Sequence, residues 1–113
     1  LGVVETPAGR VRALVPPDED AVAVAVRADA VTLHAPADAP DPDATSARNR
    51  FAGTVERVDR GEAVALVGVD VGADAPLWAL VTVESVDRLD LRQGRPVVAS
   101  FKATATRTTP VQR

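Results

Sequence analysis

Residues 45–51, TSARNRF, crowd hydroxyls, arginine, asparagine and backbone N–H groups into a few positions and contain no carboxylate. Several N–H and O–H donors beside a fixed cation are what a small anion requires. A polar loop entering a strand accounts for the same residues. Residues 82–85, TVES, offer a second donor group. Thr82 is placed to cap a short helix, and a helix start presents unpaired N–H groups that favour anions. Capping alone also explains Thr82, and Glu84 beside it is either solvated or a complication for an anion. The third stretch is VVASFKATATRTT, and its Lys102 is the one lysine beside twelve arginines. Strand alternation sets Val97, Ala99, Phe101, Ala103 and Ala105 on an apolar face. Val98, Ser100, Lys102, Thr104 and Thr106 then form the opposite, mostly polar face. That row is either a solvated strand face or a wall of hydroxyls around a compact point charge, which suits a tetrahedral anion better than a planar guanidinium does.

Other chemistries lack their residues. The chain has no cysteine, which excludes disulfides, zinc–thiolate sites and cysteine nucleophiles. The lone histidine, His34, stands at the edge of a proline-rich segment and reads as a solvated loop residue rather than a metal ligand. Ser46 has neither a local histidine nor a Gly-x-Ser-x-Gly setting, and no glycine-rich phosphate loop is present. Trp78 falls in an apolar stretch and reads as core. No constellation supports an enzyme.

The elements that must position these residues are strands. The chain is 46% hydrophobic, mostly Val and Ala, with one Trp, two Phe, and no Tyr or Met. Small β-branched residues suit pleated surfaces. Residues 1–34 read as a partial β lobe: GRVRALV alternates with Val11, Ala13 and Val15 on one face, PPDED turns, and AVAVAVRADAVTL forms a strand or strand pair broken near Ala28–Asp29. Thirty-four residues are too few for their own core, so this lobe packs on the second lobe, on upstream residues or on another subunit. Residues 35–45, APADAPDPDAT, are a linker whose prolines and aspartates prefer turns. Residues 46–113 supply strands at RFAGTVERVD, EAVALVGVDV and LWALVTV, a short helix with Val83, Val86 and Leu89 on one face, and a last strand at VVASFKATATRT. The expected class is all-β with one short helix, as in OB-like barrels.

No apolar run is long enough to span a membrane, and no signal peptide is visible. The reading therefore places the protein in the cytoplasm without membrane insertion. The opening LGVVE is mid-pattern and reads as part of a C-terminal region with a further domain upstream. Eleven Asp, five Glu and a net charge of −3 give no basic stripe for direct nucleic-acid binding. Short acidic side chains with Arg in place of Lys read as halophilic, in salt where the Debye length falls to ~3 Å; a GC-rich genome gives the same composition.

Taken together and in order, TSARNRFAGTVERVDRG and LWALVTVESVDRLDLRQGRPVVASFKATAT resemble the molybdate-binding Mop module of the TOBE family, over residues 45–106. The resemblance implies an OB-like five-stranded β-barrel that forms a homodimer, with molybdate or tungstate held at subunit or module interfaces. It implies that Ser46, Ala47, Arg48 and Asn49 meet the anion, that Thr82 and Ser85 add donors, and that Lys102 supplies the cation beside Ala103 and Thr104, with these groups drawn from different subunits. Residues 1–34 look like a truncated copy of such a module, without the Ser-Ala-Arg-Asn opening or the lysine strand. VRADAVTL resembles the segment ahead of these modules in transporter ATPases and the matching part of molybdate-responsive regulators. The resemblance thus implies the oxyanion-sensing domain of a transcription regulator of molybdenum uptake or metabolism, joined to a DNA-binding domain. The alternative is the regulatory domain of a molybdate or tungstate ABC importer ATPase. A free-standing storage protein and a single-strand nucleic-acid-binding OB domain fit less well, the latter for want of surface aromatics.

Overall fold

The computed structural model describes residues 2–15 and 22–111; the turn expected at PPDED lies outside the described residues. The chain is mostly β with one short helix, in the order β1 (Gly2–Thr6), β2 (Gly9–Ala13), β3 (Val22–Val26), β4 (Thr32–His34), β5 (Asn49–Arg60), β6 (Val64–Asp70), β7 (Leu77–Thr82), α1 (Val83–Leu89), β8 (Pro96–Phe101) and β9 (Thr106–Pro110). β1 and β2 form a hairpin, β3 pairs with β9, and the remaining strands make a five-stranded antiparallel sheet in the order β4-β8-β5-β6-β7. Among the described residues no helix is long and apolar enough to cross a membrane.

β5 organises the sheet. Its first half, Asn49 to Thr54, pairs with β8, and its second half, Thr54 to Arg60, pairs with β6. The switch is a bulge between Val55 and Arg57, where the strand bends. The Val55 backbone is not left unpaired there. Its N–H donates to Arg95 O at 2.9 Å and its carbonyl accepts from Gly94 N–H at 2.8 Å. Gly94 takes φ +90° in the RQGR turn, the conformation a type II turn requires at its third position. Along β6 and β7 the inner residues Ala65, Val67, Val69 and Ala79 are fully buried, and they join Val55, Val97, Ala99 and Phe101 in one core of small side chains.

The expected helix is present. The Thr82 hydroxyl caps α1 by accepting from Ser85 N–H at 3.1 Å, and Val86 is buried with Val83 and Leu89 half-buried beside it. Asp90 ends the helix in the left-handed conformation at φ 51°, with Leu91 N–H returning to Val86 O.

Of the packing partners open to residues 22–34, the second lobe is the one used: β3 lies on β9, and β4 extends the five-stranded sheet along β8. Residues 35–45 are not shapeless. They carry two 3₁₀ turns, Pro36–Asp38 and Pro42–Ala44, and the guanidinium groups of Arg48 and Arg50 donate to their carbonyls at Pro42 and Pro40.

Two expectations are corrected. VVASFKATATRT is two strands and not one. β8 lies between β4 and β5 and is buried on both faces, so Val98 and Ser100 are buried as well as Val97 and Ala99. It ends at Phe101, and a 3₁₀ turn over Ala103–Ala105 redirects the chain into β9, held by Ala105 N–H to Lys102 O at 3.0 Å and Thr106 Oγ1 to Ala103 O at 2.7 Å. Lys102 therefore precedes a turn instead of standing in a strand row. Trp78 is half-buried on the outer face of β7, outside the core, because Gly68 opposite it leaves room for the indole ring on the sheet surface.

Candidate functional site

Asn49, the first residue of β5, is the register partner of Phe101, the last residue of β8. Antiparallel pairing therefore sends residues 45–48 and residues 102–104 out of the same end of the sheet, side by side. β4 closes the third side, with Thr32 opposite Ser100 and His34 opposite Val98. Between them lies an open cavity of about 420 Å³ whose lining includes Thr32, His34, Thr45, Ser46, Ser100 and Lys102. Among the described residues no carboxylate lines it. Ion pairs among the described residues engage other arginines, leaving Arg48, Arg50 and Lys102 without a carboxylate partner. Among the described residues no group of three or more His, Cys, Asp or Glu is placed to hold a metal ion.

The residues singled out from sequence divide. Ser46, Ala47 and Lys102 line the cavity, and Ser46 and Lys102 are exposed. The Ala47 N–H is taken by Thr45 Oγ1 at 3.1 Å. Arg48 turns back to its own loop, donating to Thr45 O at 3.0 Å and Pro42 O at 3.3 Å. Asn49 is 2% exposed, and its amide pairs with the β2 backbone: Oδ1 accepts from Arg12 N–H at 2.7 Å and Nδ2 donates to Arg12 O at 2.8 Å. It thereby acts as one extra rung tying β2 to the sheet. Ala103 is buried and Thr104 exposed, and neither lines the cavity.

Sequence reasoning missed His34. It is half-buried, and its Nε2 is 2.9 Å from Ser100 Oγ at the cavity wall. Burial first, and the Arg50 guanidinium second, hold its pKa below the ordinary 6.5, so the ring is neutral at pH 7. Thr32 and His34 alternate in VTLH, and that period of two was the available signal for a shared face.

Thr82 and Ser85 lie elsewhere. Thr82 pairs with Val64, beside the Ala65–Arg60 pair at the far end of β5, and Arg60 clamps α1 through a two-pronged bond to Asp87 at 2.9 and 3.1 Å. That hydrogen bond lowers the Asp87 carboxyl pKa. A strand as long as β5 is roughly 35 Å in contour at its usual rise per residue, with Ser46 near one end and Thr82 near the other. Within one chain the hydroxyls of Thr82 and Ser85 bond each other at 2.9 Å, apart from the cavity.

Residues 45–107 match the TOBE domain family. A 60-residue stretch is 43% identical to the molybdenum transport protein ModE of Herbaspirillum seropedicae, covering 53% of this chain and 22% of that protein. A probable molybdenum-pterin-binding protein of Haemophilus influenzae is 35% identical over 60 residues, 53% of this chain and 87% of that one. Among solved structures, the cytoplasmic molybdate-binding protein ModG with molybdate bound superposes with a TM-score of 0.69 at 28% identity, over 80% of this chain and 62% of that one.

Proposed function

This chain belongs to the TOBE domain family, and we propose that it is a non-enzymatic binding module for molybdate or tungstate, with the anion held where two copies of the chain meet. The observation that carries the proposal is the cavity at the β4, β5 and β8 ends. Hydroxyls of Thr32, Thr45, Ser46 and Ser100 line it with the Lys102 ammonium, and among the described residues no carboxylate opposes an anion there. A dianion placed in that setting gains charge-assisted hydrogen bonds without desolvating a like charge. The three relatives above, each named for molybdenum or molybdate, favour this ligand class over other oxyanions. Thr82 and Ser85 enter the same site from the second copy, because one chain cannot bring them to Lys102. The sheet closes as an OB-like barrel in this reading, supported by the contact of β4, and of the turn at 28–30, with β7 at the opposite sheet edge.

In the parent protein the module senses oxyanion for a transcription regulator of molybdenum uptake or metabolism. Binding shifts an attached DNA-binding domain in proportion to its differential affinity for two arrangements. The 43% identity to ModE favours that parent. The regulatory domain of a molybdate or tungstate importer ATPase is the second reading, since VRADAVTL resembles the segment ahead of such modules in those proteins as well as in the regulators.

Calorimetry with molybdate, tungstate and sulfate tests the ligand class. The wild-type chain should bind molybdate and tungstate. Lys102→Ala should weaken both by about 10- to 100-fold, the worth of one hydrogen bond to a charged group. Failure of the wild type to bind any of the three would end this reading, and unchanged affinity in Lys102→Ala would remove the lysine from the pocket.

A further inference from the structure

We infer that His34 is a ligand of the bound oxyanion, donating from a protonated ring, so that binding takes up a proton. The inference rests on the oxyanion reading of the cavity and adds a residue and a proton to it. His34 lines the same cavity as Ser46 and Lys102, and the Ser100 hydroxyl at 2.9 Å anchors its ring. Among the described residues, the groups facing it come from β8, β5 and the linker. On β8 they are the uncharged Val98 and Ser100. On β5 the Arg50 guanidinium is nearby, and after β8 comes the Lys102 ammonium. The linker presents Ala39, Pro40, Thr45 and Ala47, and its Asp38 is not in the lining of either adjoining cavity. With burial and the Arg50 guanidinium acting on it, and no carboxylate among the described lining residues, the empty pocket penalises an imidazolium. A dianion in the pocket reverses that balance, since an opposite charge within a few ångströms favours the charged form. The proton comes from solvent and settles on the ring, leaving two N–H donors, one for Ser100 Oγ and one for the anion. Between the pKa of the empty pocket and that of the filled one, affinity rises as pH falls, by up to about tenfold per pH unit for one coupled proton.

The single histidine of the chain makes the test direct, because one imidazole signal reports the group. The NMR titration of that signal, without and with saturating molybdate, should show the pKa rising by a unit or more. Calorimetry across pH 6–8 should show wild-type affinity for molybdate increasing toward acid. His34→Gln, which keeps a hydrogen-bonding partner for Ser100, should bind more weakly with little pH dependence. An imidazole pKa unmoved by bound molybdate, or the same pH slope in His34→Gln, would overturn the role of His34 while leaving the oxyanion site standing. A wild-type chain that binds none of molybdate, tungstate or sulfate would overturn both.

Discussion

Asn49 and Lys102 show how differently two donor residues of one neighbourhood are used. Asn49 turns inward and completes the backbone bonding of Arg12, whereas Lys102 is exposed at the cavity without an ion pair among the described residues. Asn49→Ala deletes two part-buried hydrogen bonds and leaves the Arg12 N–H and carbonyl without them, a cost of about 1–3 kcal/mol. Urea denaturation should show that loss for Asn49→Ala and almost none for Lys102→Ala. An Asn49→Ala chain of full stability would contradict the rung assigned here. Residue types in TSARN disclosed a donor-rich segment, but type does not encode direction. Arg48 turns to its own loop and Asn49 to β2 because partners far off in sequence, or in a linker folded back, were waiting there. His34 reads from sequence as a solvated loop residue for the same reason: its partner Ser100 is 66 positions away.

At the scale of elements, the site depends on β5 changing partners midway. Gly53 sits just before the bulge, where β6 begins to cross. A Cβ added there would lie 2.5 Å from Asp70 O and 2.7 Å from Val69 Cγ1. Gly53→Ala should therefore lower stability by about 1–3 kcal/mol, the usual cost of forcing atoms into a packed crossing. Thermal unfolding measures it, and an unchanged or raised Tm would contradict the close approach. Strand periodicity disclosed β2, β5, β6, β7 and the helix face, since each presents one side to the core. It failed at VVASFKATATRT for a physical reason: a strand covered on both faces loses its alternation, and the pattern that remained ran across a turn. That turn is what delivers Lys102 to the cavity mouth.

Across the whole molecule, the proposed site draws on donor groups at opposite ends of β5, and in that reading it needs a second copy. An exposed apolar row supports one. Leu66 and Leu80 are cross-strand partners on the outer face of β6 and β7, with Val64 next to them opposite Thr82. A copy that brought its Lys102 to Thr82 would cover that row, which is otherwise an apolar stripe in water. The symmetry of such a pair makes each site composite, with Lys102 from one chain and Thr82 from the other. Residue types and spacing did not separate these groups in space, because their separation is set by the length and path of β5; only the family resemblance implied different subunits. Mixing two variants tests the composite site most directly. Lys102→Ala breaks one half, and Thr82→Asp breaks the other by repelling the anion while keeping a capping oxygen for α1. Each variant alone should lose the wild-type affinity for molybdate, Lys102→Ala by about 10- to 100-fold. Exchanged at equal concentration, the two should recover about a quarter of the wild-type sites, because half the pairs are mixed and each mixed pair holds one intact site. No recovery on mixing, or full binding by Thr82→Asp alone, would contradict a site shared between chains.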